Sequence, residues 1–208
     1  MRLLDRVHGQ HVHVRRVRVI GEQIATLLPR NARVLDVGCG DGSLAASIKE
    51  SRPDLDFSGI DVLVRSKTSI PVQQFNGSRI PYGDRSLDVV MFVDVLHHTD
   101  DPMVLLREAT RTASTAIVVK DHTLTGPFAG PTLRFMDWVG NARHGVALPY
   151  NYWKRQQWFD ACEQLGLEIG VWQADLKIYP WPATWVFDRS LHFIARFDPN
   201  DRSVSSPQ

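Results

Sequence analysis

Two cysteines in 208 residues leave no material for a disulfide framework, and Cys39 and Cys162 do not have the spacing of a zinc site. An excess of one charge is also missing. The 24 Lys and Arg stand against 23 Asp and Glu, a formal charge of +1, so the balance favours no polyanionic partner and no nucleic acid is expected. No apolar run approaches the ~18 residues of a membrane-crossing helix. The first residues are mixed charge and His (Arg2, Arg6, His8, His11, His13) where a signal core would be apolar. A reducing, cytoplasmic location is the default expectation. There is no internal repeat, and no Ser/His/Asp or Cys/His constellation marks a covalent nucleophile.

What is present is an ordinary globular composition, 43% hydrophobic and 23% charged, at a length that suits one domain with a full-sized core. Apolar residues recur at helical spacing over 16–28. Strand-like runs follow at 33–37, 55–61 and 71–75. The run Leu87-Asp88-Val89-Val90-Met91-Phe92-Val93 reads as a strand buried on both faces of a parallel sheet. A helix opening at Pro102 and a strand over 115–120 continue the alternation, which predicts an α/β, doubly wound sheet with right-handed crossovers. Residues 121–152 break the rhythm with Gly126, Pro127, Gly130 and Pro131, a short helix over 131–140 and a loop over 141–151. A helix over 153–165 and strands over 167–173 and 190–197 complete the chain. Alternation of Leu191, Phe193, Ala195 and Phe197 predicts an antiparallel last strand on the sheet edge. The domain is expected over 1–198, with 199–208 a flexible tail.

The most informative stretch is Val34-Leu35-Asp36-Val37-Gly38-Cys39-Gly40-Asp41-Gly42-Ser43-Leu44, a buried strand, a tight glycine turn and a helix start. Asp61 closes the next strand, 23 positions beyond Gly38. That order fits a nucleoside cofactor lying across the ends of two parallel strands, with both ribose hydroxyls on Asp61. A dinucleotide fingerprint would want its third glycine at position 43, which is Ser, and Asp36 would repel a pyrophosphate. The same carboxylate favours a cofactor carrying an amino group and a sulfonium.

The run Val34 to Leu44 resembles the cofactor-binding motif of class I S-adenosylmethionine-dependent methyltransferases, and the likeness covers residues 17–120 best. It implies a Rossmann-like, seven-stranded, mostly parallel sheet and S-adenosylmethionine as cofactor. Gly38, Gly40 and Gly42 would admit the methionine part, Asp36 would help hold its amino end, and Val62 would pack on adenine. The run Phe75-Asn76-Gly77 to Leu87-Asp88 also resembles the family, with Asn76 where an acid usually stands. Asn76 and Gly77 would then face the adenine edge, unless Asn76-Gly77 is simply a turn. Phe92 and Val93 stand where the family presents backbone to the cofactor.

Methyl transfer needs alignment, exclusion of water and sometimes a base. The candidate bases at strand ends are Asp94, His98, Asp121 and His122, with His122 and Asp121 the catalytic expectation. His98, Trp138, Tyr150 and Tyr152 are the candidate substrate contacts, and 121–152 a flap over the acceptor. No metal is expected, because adjacent His97 and His98 cannot share one helical face. Phe128, Phe135, Met136, Trp138, Trp181 and Trp185 suggest a small apolar or aromatic acceptor, or else a second small core. No Asn/Asp-Pro-Pro-aromatic sequence of the kind linked to methylation of bases follows the fourth strand. The partner is thus a small molecule, with the chain a monomer or homodimer. A non-enzymatic cofactor-binding or protein-interaction module on the same fold is the alternative.

Overall fold

The computed structural model describes residues 15–141, 149–181 and 183–200. His11, His13 and the rest of 1–14, the loop residues 142–148 and the tail beyond 200 lie outside the described residues. The chain order is helix α1 (15–25), β1 (Arg33–Val37), α2 (Ser43–Ser51), β2 (Asp56–Asp61), β3 (Val72–Gln74) and β4 (Leu87–Val93). There follow a 3-10 turn (Leu96–His98), α3 (Pro102–Thr112), β5 (Ala113–His122), α4 (Ala129–Asn141), α5 (Arg155–Leu165), β6 (Leu167–Gln173), α6 (Thr184–Phe187) and β7 (His192–Pro199).

The seven strands form one sheet in the order β3-β2-β1-β4-β5-β7-β6. The first five are parallel, and β7 runs antiparallel to both its neighbours. The α/β, Rossmann-like expectation is therefore met. Alternation within the strands builds a core on each face. Val90 and Phe92 point with Ile117 and Val119 into one core, which Trp158 and Cys162 of α5 and Leu105 and Leu106 of α3 complete. Val89 and Met91 point with Ala116 and Val118 into the other, covered by Ile20 and Ile24 of α1 and Ala45 and Ile48 of α2. Among the described residues no helix is long and apolar enough to cross a membrane.

Three expectations need correction. The last strand is not at the edge: β6 flanks it, and Phe193 and Ile194 are buried in opposite cores. Its alternating pattern misled because His192 and Arg196 occupy the other face, yet both are held there. His192 is buried, and Arg196 donates to the Leu27 carbonyl at 2.8 Å. Second, β5 runs on through His122, so Asp121 and His122 are strand residues on opposite faces. Third, α1 ends at residue 25 and α5 opens at Arg155. Chain direction across the sheet reverses between β1 and β4, and the crevice at their C-terminal ends is where open α/β sheets take ligands.

Candidate active site

Sequence dictates the turn after β1. Gly38, Gly40 and Gly42 all take positive φ (73°, 60° and 73°), which side chains with a Cβ resist. A Cβ on Gly38 would stand 2.6 Å from Val95 Cγ2, and one on Gly42 2.5 Å from Ile70 Cγ1. At Gly40 a Cβ would meet nothing within 4 Å. That glycine opens onto free space where a ligand can lie against the backbone.

Asp61 stands beside it. Its Oδ2 accepts from the Gly40 amide and its Oδ1 from the Leu63 amide, each at 2.8 Å. A carboxylate has about four lone-pair sites, so both oxygens keep capacity for ribose hydroxyls. Val62 and Leu63 are exposed apolar residues directly after that acid. Gly77 abuts them: a Cβ there would lie 3.1 Å from Val62 Cγ1. Asn76 Oδ1 accepts from the Ser78 amide, the Ser78 hydroxyl and the Arg79 amide, which fixes the Asn76-Gly77 turn. Asp36 lies buried in β1 behind the glycines, and Phe92 and Val93 end β4 alongside.

A second, polar centre adjoins this cleft through Val95, which packs on Gly38. Asp94, just past β4, adopts φ 57°, a left-handed conformation that Asp tolerates better than most residues. Its Oδ2 accepts from Arg16 of α1 at 2.5 Å, and its Oδ1 from Lys120 Nζ of β5. Lys120 has no exposed side-chain surface and also lies 3.4 Å from His192 Nδ1. Asp121 Oδ1 meets His97 Nδ1 at 2.5 Å and accepts from the His122 amide at 2.7 Å, while its Oδ2 accepts from the Leu96 amide at 3.0 Å. Asp137 of α4 lies 3.3 Å from His97 Nε2 and accepts from the Tyr152 hydroxyl.

Burial and pairing set the charges. Burial pushes the Asp94 carboxyl up, but Lys120 and Arg16 more than offset it and hold it well below the usual range. Burial opposes ionisation of Asp121 too, and His97 outweighs it. Burial would lower His97, yet Asp121 and Asp137 raise it to about 10. His98 is held near 4 by burial and the neighbouring His97 charge. His122 is lowered by burial, Lys120 and His97, and His192 well lowered by burial and Lys120. The ionised carboxylates Asp94, Asp121 and Asp137 thus stand against Arg16, Lys120 and His97, leaving neutral imidazoles among them. Above this balance lies a cavity of about 150 Å³. Arg16, Asp94, Met136, Asp137 and Tyr179 line it together with His97, His98 and His122.

Residues 10–170 match the methyltransferase-domain family. The chain belongs to the class I S-adenosylmethionine-dependent methyltransferases. An uncharacterized methyltransferase of Mycobacterium sp. (strain JLS) is 31% identical over 124 residues, covering 55% of this chain and 48% of the relative. The 27-O-demethylrifamycin SV methyltransferase of Amycolatopsis mediterranei (strain S699) is 25% identical over 135 residues, covering 52% and 49%. The chain spans about half the length of the curated relatives it matches. A solved SAM-dependent methyltransferase of Thermotoga maritima, described as a possible histamine N-methyltransferase, superposes with TM-score 0.67 at 17% identity over 95% of this chain and 96% of that one. The [4+2]-cyclase SpnF superposes with TM-score 0.60 at 17% identity, over 86% and 79%. These structural likenesses are likenesses of fold.

In this chain the predicted residues divide into two groups. Asp36, Gly38, Gly40, Gly42, Asp61, Val62 and Gly77 gather around the turn, and His98 and His122 reach the cavity. Asp121 does not reach it: fully buried, its oxygens are committed to three donors, so it orients His97. Trp138 lies exposed on the outer side of α4, and Tyr152 is buried against Asp137 and His97. Trp181 and Trp185 are 85% and 84% exposed, so neither belongs to a core. Sequence reading missed Lys120, Asp137 and His192 as site residues, and gave Arg16 only as a group, with Arg15, for the 121–152 flap to close against. Lys120 carried a signal, as a lone cation in Ala116-Ile117-Val118-Val119-Lys120, where an unpaired Lys is almost never buried.

Asp36 gives the cofactor site a pH signature. Burial, and then the charge of Asp61, raise its carboxyl to about 7. The folded state therefore holds a proton there that the unfolded chain loses near its ordinary value of 3.8. Fold stability from this group is full below that value and is lost as pH rises towards 7. A cationic cofactor favours the ionised form, so binding releases the proton and tightens with pH. S-adenosylmethionine affinity is expected to rise about fivefold from about pH 6 to about pH 7 by linkage. Calorimetry in buffers of different ionisation heat should show the released proton. Asp36→Asn should flatten the dependence, and an unchanged slope in that variant would remove Asp36 from the site.

Proposed function

We propose that this chain transfers the methyl group of S-adenosylmethionine to a protic group, a hydroxyl or an amine, on a small molecule whose reacting end enters the cavity. The observation carrying this reading is the placement of that cavity, next to the glycine turn through Val95 and Gly38, with neutral imidazoles in its wall. Methyl transfer forms the acceptor–carbon bond as the carbon–sulfur bond breaks, its electron pair passing to sulfur, and the acceptor proton goes to a base. His122 lines the cavity as a neutral imidazole, and Asp94 Oδ1 and Asp121 Oδ1 each stand 3.5 Å from its Nδ1, placed to stabilise the imidazolium formed when it takes the proton, so it is the base assigned here.

The lining favours a polar reacting end over the apolar acceptor suggested by aromatic content. Met136 and Tyr179 are its apolar members, and a cavity of about 150 Å³ takes a group of roughly one benzene ring. The remaining acceptor would extend towards α4, whose Asp137 ties it to His97. That placement supports the described parts of the segment, 121–141 and 149–152, as cover for the acceptor. The name of the Amycolatopsis relative, 27-O-demethylrifamycin SV methyltransferase, is in keeping with a hydroxyl acceptor. The test is transfer of labelled methyl from the cofactor into a metabolite extract, followed by mass spectrometry. A labelled small molecule and S-adenosylhomocysteine are expected in equal amounts. Cofactor binding without any labelled product across extracts would favour the non-enzymatic module.

A further inference from the structure

One wall of the cavity carries donors that methyl transfer leaves unused. His98 Nδ1 is buried with no hydrogen-bond partner among the described residues, and His97 Nε2 faces the Asp137 carboxylate at 3.3 Å. One ring nitrogen of each histidine and one carboxylate oxygen of Asp137 lie within 4.8 Å of one another. His97 is 2% exposed, and its Nδ1 meets Asp121 Oδ1 at 2.5 Å. A carboxylate on the far nitrogen is how metal-binding imidazoles are held, because it keeps the N–H at Nδ1 and turns the Nε2 lone pair towards the ion. The expectation that adjacent histidines cannot act together assumed an α-helix. In the 3-10 turn Leu96–His98 their ring centroids lie 4.0 Å apart.

We propose that His97, His98 and Asp137 bind a divalent first-row transition-metal ion with an open position facing the cavity, the ion displacing to solvent the Nε2 proton that His97 otherwise directs at Asp137. Two imidazoles and a carboxylate suit Zn²⁺, Co²⁺ or Fe²⁺. Tetrahedral ligation at about 2.05 Å needs donors roughly 3.3 Å apart. His97 Nε2 and Asp137 Oδ2 already stand 3.3 Å apart, and half-buried His98 closes the set by a side-chain rotation. His97, Asp121 and His122 form a second possible set, but there Asp121 is committed to three hydrogen bonds. The ion's task, polarising an acceptor oxygen, rests on the methyl-transfer reading. The site itself does not.

The probe is Co²⁺ added to the full chain after chelator treatment, followed by equilibrium dialysis and its visible d–d absorption. One equivalent is expected to be retained. His98→Ala and Asp137→Asn should each weaken retention at least about tenfold while S-adenosylmethionine still binds, which shows the variants folded. A protein that binds the cofactor but retains no Co²⁺ overturns the proposal. Equal retention by both variants does so too, since the ion would then sit elsewhere, for instance on His11 and His13. Retained Co²⁺ without methyl transfer would keep the site and remove the proposed reaction.

Discussion

Replacing Asp94 with Asn is expected to destabilise the fold by about 3–5 kcal/mol, the usual effect of removing one partner from a buried ion pair. Asp94 takes Lys120 on one oxygen and Arg16 on the other. Lys120 has no exposed side-chain surface, so the substitution strands an ammonium among Asp121, His122 and His192. Asn matches Asp in size and tolerates the left-handed backbone at this position, so charge is the main thing changed. Urea denaturation of both proteins measures the difference. Adding Lys120→Met to Asp94→Asn should recover a large part of the loss, because the stranded charge is gone. A single variant within about 1 kcal/mol of the parent, or a double variant worse than the single, would show that this pair does not hold the site together.

The same cluster shows why the two halves of the site differ in legibility. The cofactor turn is written in consecutive residues. Gly38, Gly40 and Gly42 are required by local backbone conformation, and Asp61 ends the very next strand. A contiguous stretch therefore reports both the geometry and the ligand it suits. The strands were legible for a similar reason, since Val89 and Val90 on opposite faces both need burial and leave one apolar run. The polar centre has no such local cause. Arg16 and Asp94 are 78 positions apart, and Lys120 and His192 are 72 apart. Each alone reads as a solvated charge, and only the sheet order makes them neighbours.

Aromatic content does not place its side chains, for the complementary reason. Composition reports that a Trp is present, not which side of a helix it takes. On α4, Leu133 and Asp137 turn inward, while Phe135 and Trp138 turn out. The aromatic content that suggested an apolar acceptor says nothing of Asp137, the carboxylate this helix brings to His97.

His122→Ala should leave cofactor affinity within about threefold and lower kcat by about a hundredfold to ten-thousandfold, the span of general-base contributions. The rival groups have other commitments. Asp121 accepts three hydrogen bonds away from the cavity. Asp94 is held ionised well below the usual carboxylate range by Lys120 and Arg16, which makes it a poor base, and His97 carries a charge between two carboxylates. His98 also lines the cavity, so His98→Ala is the comparison that discriminates, with a smaller fall in kcat expected if His122 takes the proton. His122 packs against the rings of His97, Tyr152 and His192, and truncation leaves a hole there. That hole is useful, because free imidazole added to His122→Ala can fill it and should restore part of kcat, whereas a merely structural loss would not respond. Full turnover in His122→Ala, or a deficit that imidazole never relieves while the cofactor binds normally, would send the acceptor's proton to another group.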